Sequence, residues 1–328
     1  MYCLGIETSC DETSAAIVKD GQAVLANEIS SSLEFHKLHG GVIPEIAFRM
    51  QLETISTVVD AALKDAKIKK KDIGLISVTN GPGLLGSLLV GISFAKALGL
   101  ALNIPVLGVN HIYSHMYANF LDRKGLKLPF VALVVSGGHT SLFYIEDFDK
   151  IKLLGATCDD ACGETFDKVA KILGLGYPGG PLIEQIAKKG NPKKIKFGCS
   201  NTNNPLDFSF SGIKTAVLYK TQDLKLKTQG QKADIAASFQ ETAIDTLVRK
   251  SFLACKHKKV RQLAVGGGVI ANSRLREKFL ALAQENKVDC FFPARQFCTD
   301  NAAMVAGFGY KLFKKGYRSD LFLSANLN

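Results

Sequence analysis

Apolar positions along the chain fall into one pattern that occurs twice. CLGIETSCDETSAAIV (3–18) runs as an apolar strand, a polar turn and a second apolar strand, and FVALVVSGGHTSLFYI (130–145) repeats that layout. Both read as hairpins with Gly, Ser or Thr at the tip. After the first come a helix near 45–66, a strand IGLISVTN (73–80), a glycine turn GPGLLG (81–86), a helix to about 102 and a strand PVLGVN (105–110). After the second, the spacing predicts helices near 163–174, 181–189, 211–220, 232–257, 271–286 and 300–315, with strands at 261–266 and 288–292. Two similar halves predict a duplicated α/β unit with a cleft between the copies, divided as 1–110 and 111–328. The stretch 190–231 is polar, lysine-rich and less periodic, and reads as a mobile insertion.

Composition narrows the class. At 328 residues, 47% hydrophobic and 22% charged, the chain is long enough for two domains of ordinary globular make-up. It lacks eighteen apolar residues in a row, so no membrane span is expected. The opening MYCLGIETSC looks like a first strand rather than a signal peptide, which points to a soluble, non-secreted, cytoplasmic protein. The eight cysteines form no C-x-x-C pair, arguing against a zinc knuckle and for free thiols; Cys158 and Cys162, four apart, are a weaker redox or metal candidate. A net charge of +11 favours a polyanionic partner, nucleic acid first, although a lysine-rich solvated surface would give the same sum. Basic density peaks in NPKKIKFG (191–198), YKTQDLKLKTQGQK (219–232), CKHKKVR (255–261) and LFKKGYR (312–318), which suit phosphate contact.

Candidate chemistry lies in the turns. Glycine-rich loops follow strands or flank helices at GPGLLGS (81–87), SGGHTS (136–141), YPGGP (177–181) and GGGVIAN (266–272). Such loops let the backbone approach a ligand and aim N–H groups at phosphate, so a nucleotide-like ligand is expected over four ordinary tight turns. None matches a Walker loop or a dinucleotide fingerprint. Asp11 and Glu12 occupy the first hairpin tip, Asp159, Asp160, Glu164 and Asp167 fall in CDDACGETFDK, and Asp300 opens a helix, where it would bind metal or simply cap. His111 and His115, four apart at a helix start, would share a face and could share a metal. Asp300 is the third ligand by type. A zincin helix reads H-E-x-x-H; here Ile112 replaces the catalytic Glu, which argues against a metalloprotease. His257, in a lysine run, reads as a solvated surface residue.

LGIETSCDET (4–13), HKLHGGVIPEIA (36–47), NGPGLLGSLLVG (80–91), NHIYSH (110–115), ALVVSGGHT (132–140), DDACGETFDKVAKILGLGYPGGP (159–181), LDFSFSGIKTA (206–216), GGGVIAN (266–272) and CTDNAAMVA (298–306) together resemble the TsaD family, the bacterial tRNA N6-adenosine threonylcarbamoyltransferases of the Kae/Qri/YgjD type. The resemblance runs nearly end to end, with motifs in matching order. It implies a two-lobed α/β fold of the actin/Hsp70/sugar-kinase (ASKHA) superfold. It implies transfer of a threonylcarbamoyl group from threonylcarbamoyl-AMP to N6 of the adenosine at position 37 in tRNAs reading codons that begin with A, forming t6A. By the family pattern His111, His115 and Asp300 hold a metal, iron(II) or zinc. Val134, Val135, Ser136, Gly137, Gly138, Asp167, Gly180 and Asn272 would line the adenylate site, and Asp11 and Glu12 would face the transferred group, one of them as the base. Implied partners are tRNA, a TsaB-type paralogue, a TsaE-type ATPase and a TsaC-type synthase that makes the donor, with no membrane. Ser14 and Cys162 stand where many relatives carry Gly, and Lys37 and Leu38 vary the residues between His36 and His39. A kinase on the same superfold is the rival reading. It would not need His111 and His115.

Overall fold

Unbroken burial, rather than alternation, marks the central strands, because helices cover both faces of a parallel core. In the computed structural model, which describes residues 1–123, 125–200, 202–223 and 228–327, strand β1 (Tyr2–Glu7) is buried from Cys3 onward and β2 (Glu12–Lys19) from Thr13 to Val18. With β3 (Ala23–Ser31), β4 (Ile73–Gly81) and β5 (Val106–Asn110) they form a sheet of order β3-β2-β1-β4-β5. The β1/β2 and β2/β3 pairs are antiparallel, and β1/β4 and β4/β5 are parallel.

A second sheet repeats this plan. It is built from β6 (Phe130–Val135), β7 (Thr140–Asp147), β8 (Lys150–Ala156), β9 (Gln262–Gly266) and β10 (Asp289–Phe291), in the order β10-β9-β6-β7-β8. Again the hairpin pairs are antiparallel and the β6/β9 and β9/β10 pairs parallel. Thus β6 answers to β1, β7 to β2, β8 to β3, β9 to β4 and β10 to β5. The duplicated hairpins of the sequence are the matched centres of two sheets with one topology.

The chain divides into two units, Met1–Gly125 with the segment from Pro293 onward, and Leu126–Phe292. The expected division at 110/111 is corrected on both sides. Helix α1 (Leu33–His39), α2 (Pro44–Asp65), α3 (Leu85–Leu102) and α4 (His111–Tyr117) belong to the first unit. The second unit carries α5 (Cys162–Ile172), α6 (Gly179–Ala187), α7 (Ser211–Asp223), α8 (Gln229–Lys258) and α9 (Ser273–Asn286). The chain then returns to the first unit as α10 (Ala302–Lys314). The physical reason is packing: α10 lies so close across β1 that a Cβ on Gly5 would sit 2.1 Å from the Ala302 carbonyl oxygen. Tyr117 of α4 meets Phe308 of α10 with ring centroids 6.1 Å apart.

The 190–231 stretch is also corrected. Its described part is anchored and partly helical: α7 lies within it, Asn191 N–H donates to Asp234 at 2.7 Å, and Ile195 N–H donates to Ser238 at 3.2 Å. Residues 201 and 224–227 of that stretch lie outside the described residues. Among the described residues one helix, α3, is long and apolar enough to cross a membrane. Its Leu88, Val90, Ile92 and Ala95 belong to the core of the first unit, with Ile6, Ile17 and Ile76.

Candidate metal centre and glycine-turn site

The metal candidates are placed by two helix starts in the first unit. Asn110 ends β5 and caps α4, its side-chain oxygen accepting from Tyr113 N–H at 3.1 Å. That cap fixes His111 and His115 on one face, with ring centroids 4.7 Å apart at 77°. On α10 the capping residue is Asn301, which accepts from Met304 N–H at 3.1 Å. Asp300 is therefore not the cap, and its carboxylate faces the histidines. Asp300 Oδ1 lies 3.0 Å from His115 Nε2 and 3.6 Å from His111 Nε2. The three ligand atoms fall within 4.8 Å of one another, the sole such cluster among the described residues.

The donor set fits a divalent cation. Both ring nitrogens of His115 are buried; Nδ1 has no hydrogen-bond partner, and Nε2 faces the Asp300 carboxylate at 3.0 Å. An unpaired buried nitrogen costs free energy unless something else satisfies it. Two imidazoles and one carboxylate suit iron or zinc and leave coordination positions open.

Glu7 completes the arrangement. It lies within an apolar strand, yet its carboxylate accepts from Ser9 N–H at 2.6 Å, Thr79 Oγ1 at 2.7 Å and His111 Nδ1 at 3.0 Å. A carboxylate on Nδ1 fixes the tautomer and leaves Nε2 to ligate. Burial works against a charged imidazole, but Glu7 and Asp300 outweigh it and hold His111 up at about 9. Burial likewise opposes ionisation of Glu7, while His111 draws it below its ordinary value. Sequence reasoning passed over Glu7; the signal was a lone acid in an otherwise buried strand.

Asp11 and Glu12 are half-buried at the β1–β2 tip. Gln51 of α2 shapes that turn, donating to the carbonyls of Cys10 and Glu12, each at 2.9 Å. Burial, then the charges of Asp300 and Asp11, raises Glu12 well above the ordinary carboxylate range. Burial and the same acids also push the Cys10 thiol up, which makes it a poor nucleophile. His36 is structural: Ser32 Oγ lies 2.9 Å from its Nε2, and Ile43 N–H donates to its Nδ1 at 3.2 Å.

Three of the four glycine-rich turns, and with them the residues expected at the adenylate, lie in the second unit, while GPGLLGS (81–87) lies in the first. Val134 and Val135 are buried in β6, so only their backbone can serve a ligand. The turn after them is held on α5, where Gly163 N–H donates to Ser136 O at 3.2 Å and Glu164 N–H to Gly137 O at 3.0 Å. Gly267, at φ +94°, lies against Val135, where a Cβ would come within 2.3 Å of the carbonyl oxygen. Asp167 of α5 accepts from Gly179 N–H at 2.6 Å, and burial raises its carboxyl above the ordinary value. The turns holding Gly137, Gly138 and Gly180 are thereby pinned, while those three glycines have nothing within 4 Å of a Cβ position. Their backbone is open to a ligand. Asn272 caps α9 through Leu275 N–H at 3.0 Å and donates to Gln240 at 2.8 Å, so its side chain is already engaged. Cys158 is exposed and Cys162 buried, and none of the eight cysteines, all of them described, is in a disulfide.

Comparison with known proteins shows the family. The family model for tRNA N6-adenosine threonylcarbamoyltransferase, TsaD, matches residues 23–307. A curated relative of that name from Clostridium kluyveri is 54% identical over 325 residues, covering 98% of this chain and 95% of its own length. Another from Dictyoglomus turgidum is 50% identical, covering 99% and 98%. Among solved structures, full-length HypF in its phosphate- and nucleotide-bound form aligns over 97% of this chain at TM-score 0.62 and 13% identity. This chain spans 47% of that one. Component A of (R)-2-hydroxyglutaryl-CoA dehydratase from Acidaminococcus fermentans aligns over 95% of this chain and 98% of its own length at TM-score 0.56 and 17% identity. At such identities the structural likeness establishes the fold, the two-lobed ASKHA type expected from the motifs.

Proposed function

Because the chain belongs to the tRNA N6-adenosine threonylcarbamoyltransferase family, we propose that it transfers the threonylcarbamoyl group of threonylcarbamoyl-AMP to N6 of adenosine 37 in tRNAs reading codons that begin with A. The observation that carries this reading is the His111–His115–Asp300 cluster with its buried His115 nitrogens. We assign these residues to one iron(II), with zinc as the substitute. Bound there, the cation would polarise the donor carbonyl and orient the mixed anhydride.

The chain's own groups account for the remaining steps. Backbone amides of Gly137 and Gly138 hold the adenylate, as their open positions allow, while Asp167 holds the 179–180 turn in place through Gly179 N–H. Glu7 keeps His111 in one tautomer. N6 attacks the carbamoyl carbon, the bond to the phosphate oxygen breaks and AMP leaves. Glu12 takes the N6 proton, a role suited to a carboxylate whose proton affinity is raised, and Asp11 is its alternate. The reaction is cytoplasmic, with a TsaB-type paralogue and a TsaE-type ATPase assisting and a TsaC-type synthase supplying the donor.

The test is a transfer assay with those partners, labelled threonine, bicarbonate, ATP and unmodified tRNA, read by mass of the digested nucleosides. Threonylcarbamoyl-adenosine should form with the wild type and vanish with His111→Ala. Its absence with the wild type, where a control transferase succeeds, sinks the reading.

A further inference from the structure

Two of the basic runs distant in sequence come together in the second unit. Lys194, Ile195, Lys196 and Phe197 form one wall of an open groove of about 420 Å³, and Ala216, Tyr219, Lys220 and Asp223 of α7 form the other. The first wall is built rather than loose. Besides the anchors to Asp234 and Ser238, Lys194 N–H donates to Asn191 O at 3.1 Å, and Ser238 Oγ donates to that same carbonyl at 3.3 Å.

The groove's cations are uncommitted. Elsewhere in this unit Lys168 and Lys214 close on Asp160, and Lys278 closes on Glu241. Among the described residues Lys194, Lys196 and Lys220 make no such pair, and a single carboxylate, Asp223, lies in the groove. Beside them Tyr219 leaves 62% of its surface in solvent, on a helix where Ile213 and Val217 take the buried positions. An exposed ring leaves a face on which a base can stack. A ring flanked by free lysines matches a nucleic-acid strand, whose bases stack while its phosphates meet the ammonium groups. A second basic hollow, around Lys256, Lys259, Arg261 and Lys287, has no exposed ring and carries only the charge half of that signature.

We infer that the groove between residues 194–197 and α7 holds an unpaired stretch of the tRNA substrate, with a base stacked on Tyr219 and neighbouring phosphates on Lys194, Lys196 and Lys220. This rests on tRNA being the acceptor, as proposed above.

The experiment measures affinity for unmodified tRNA transcript by fluorescence anisotropy across a salt series, using the full chain. One triple variant is Lys194→Ala/Lys196→Ala/Lys220→Ala. The control, Lys256→Ala/Lys258→Ala/Arg261→Ala, removes the same number of charges from another basic run. The groove variant should bind roughly tenfold or more weakly, and its slope of log affinity against log salt should fall by about 2, as expected for three lost phosphate contacts. The control should stay within about threefold of wild type, as charges away from the contact are screened. Tyr219→Ala should lose roughly tenfold and Tyr219→Phe should retain affinity, since stacking needs the ring and not the hydroxyl. Equal losses in both triple variants, or none in the groove variant while the wild type binds and modifies tRNA, would overturn the groove assignment alone. A wild type that neither binds nor modifies tRNA with its partners present would overturn the acceptor reading and the groove with it.

Discussion

His115 has two buried ring nitrogens; Nδ1 has no hydrogen-bond partner and Nε2 faces the Asp300 carboxylate, a state that is costly in the bare protein. Restoring a cation should therefore stabilise the chain by mass action, by about 3–4 kcal/mol at a hundred to a thousand times the dissociation constant. We expect the melting temperature to rise on adding iron(II) anaerobically, or zinc, and chelator to reverse it. His115→Ala should abolish the response. Glu7 acts one step further out. Glu7→Gln keeps the shape but weakens the grip on His111 Nδ1, and metal affinity should fall about 10–100-fold, measured by competition with a chelating dye. The sequence marked that residue only as a lone acid in an apolar strand; its role was illegible because it depends on Thr79, Ser9 and His111, three partners brought to it only by the fold. The histidine pair was legible because helical spacing alone puts both rings on one face.

Among the elements, α10 shows how closely site and scaffold are joined. Its first residue, Ala302, donates its N–H to Ser14 Oγ at 2.9 Å, and that hydroxyl donates to Glu28 O at 2.8 Å. Ser14 thus ties β2 and β3 to the helix that follows Asp300. Ser14→Gly should cost about 1 kcal/mol, by the loss of one satisfied helix-end donor, read as a shift in the urea midpoint. Gly5→Ala should cost more, about 1–3 kcal/mol, because its methyl would meet the Ala302 carbonyl. In the second unit Glu241 of α8 binds Arg274 of α9 through two oxygens, at 2.9 and 3.0 Å, and Lys278 at 2.7 Å. Those cations draw Glu241 below its ordinary value. A depressed folded pKa contributes stability that is complete above the unfolded value, about 4.3, and is lost as pH falls through the folded one. The stability gap between wild type and Glu241→Gln should hold from pH 7 to about 5 and close under stronger acid, followed by urea titration at each pH. Element recognition from sequence failed where burial is slight. Strands β3 and β8 each form the outer edge of a sheet, and each has one fully buried residue, Ala26 and Gly155. Neither offers the apolar run that disclosed β1 and β6.

For the molecule as a whole, the repeated hairpin correctly disclosed a duplicated fold, because central strands carry their topology in an unbroken apolar signature. The unit boundary was not disclosed, because membership of the last segment is set by contacts such as Gly5 with Ala302 and Tyr117 with Phe308, far apart along the chain. Native-state hydrogen exchange should report that division, with β6 to β10 opening as one cooperative block and α10 exchanging together with β1 and β4. A single cooperative unit with no difference between α10 and β9 would contradict it. The discontinuity also imposes an order in time. A ribosome makes His111 and His115 early, then all of Leu126–Phe292, and only afterwards Asp300. A nascent chain therefore presents two histidines without their carboxylate for most of its synthesis, and the three-residue cluster is complete only after Asp300 has left the exit tunnel.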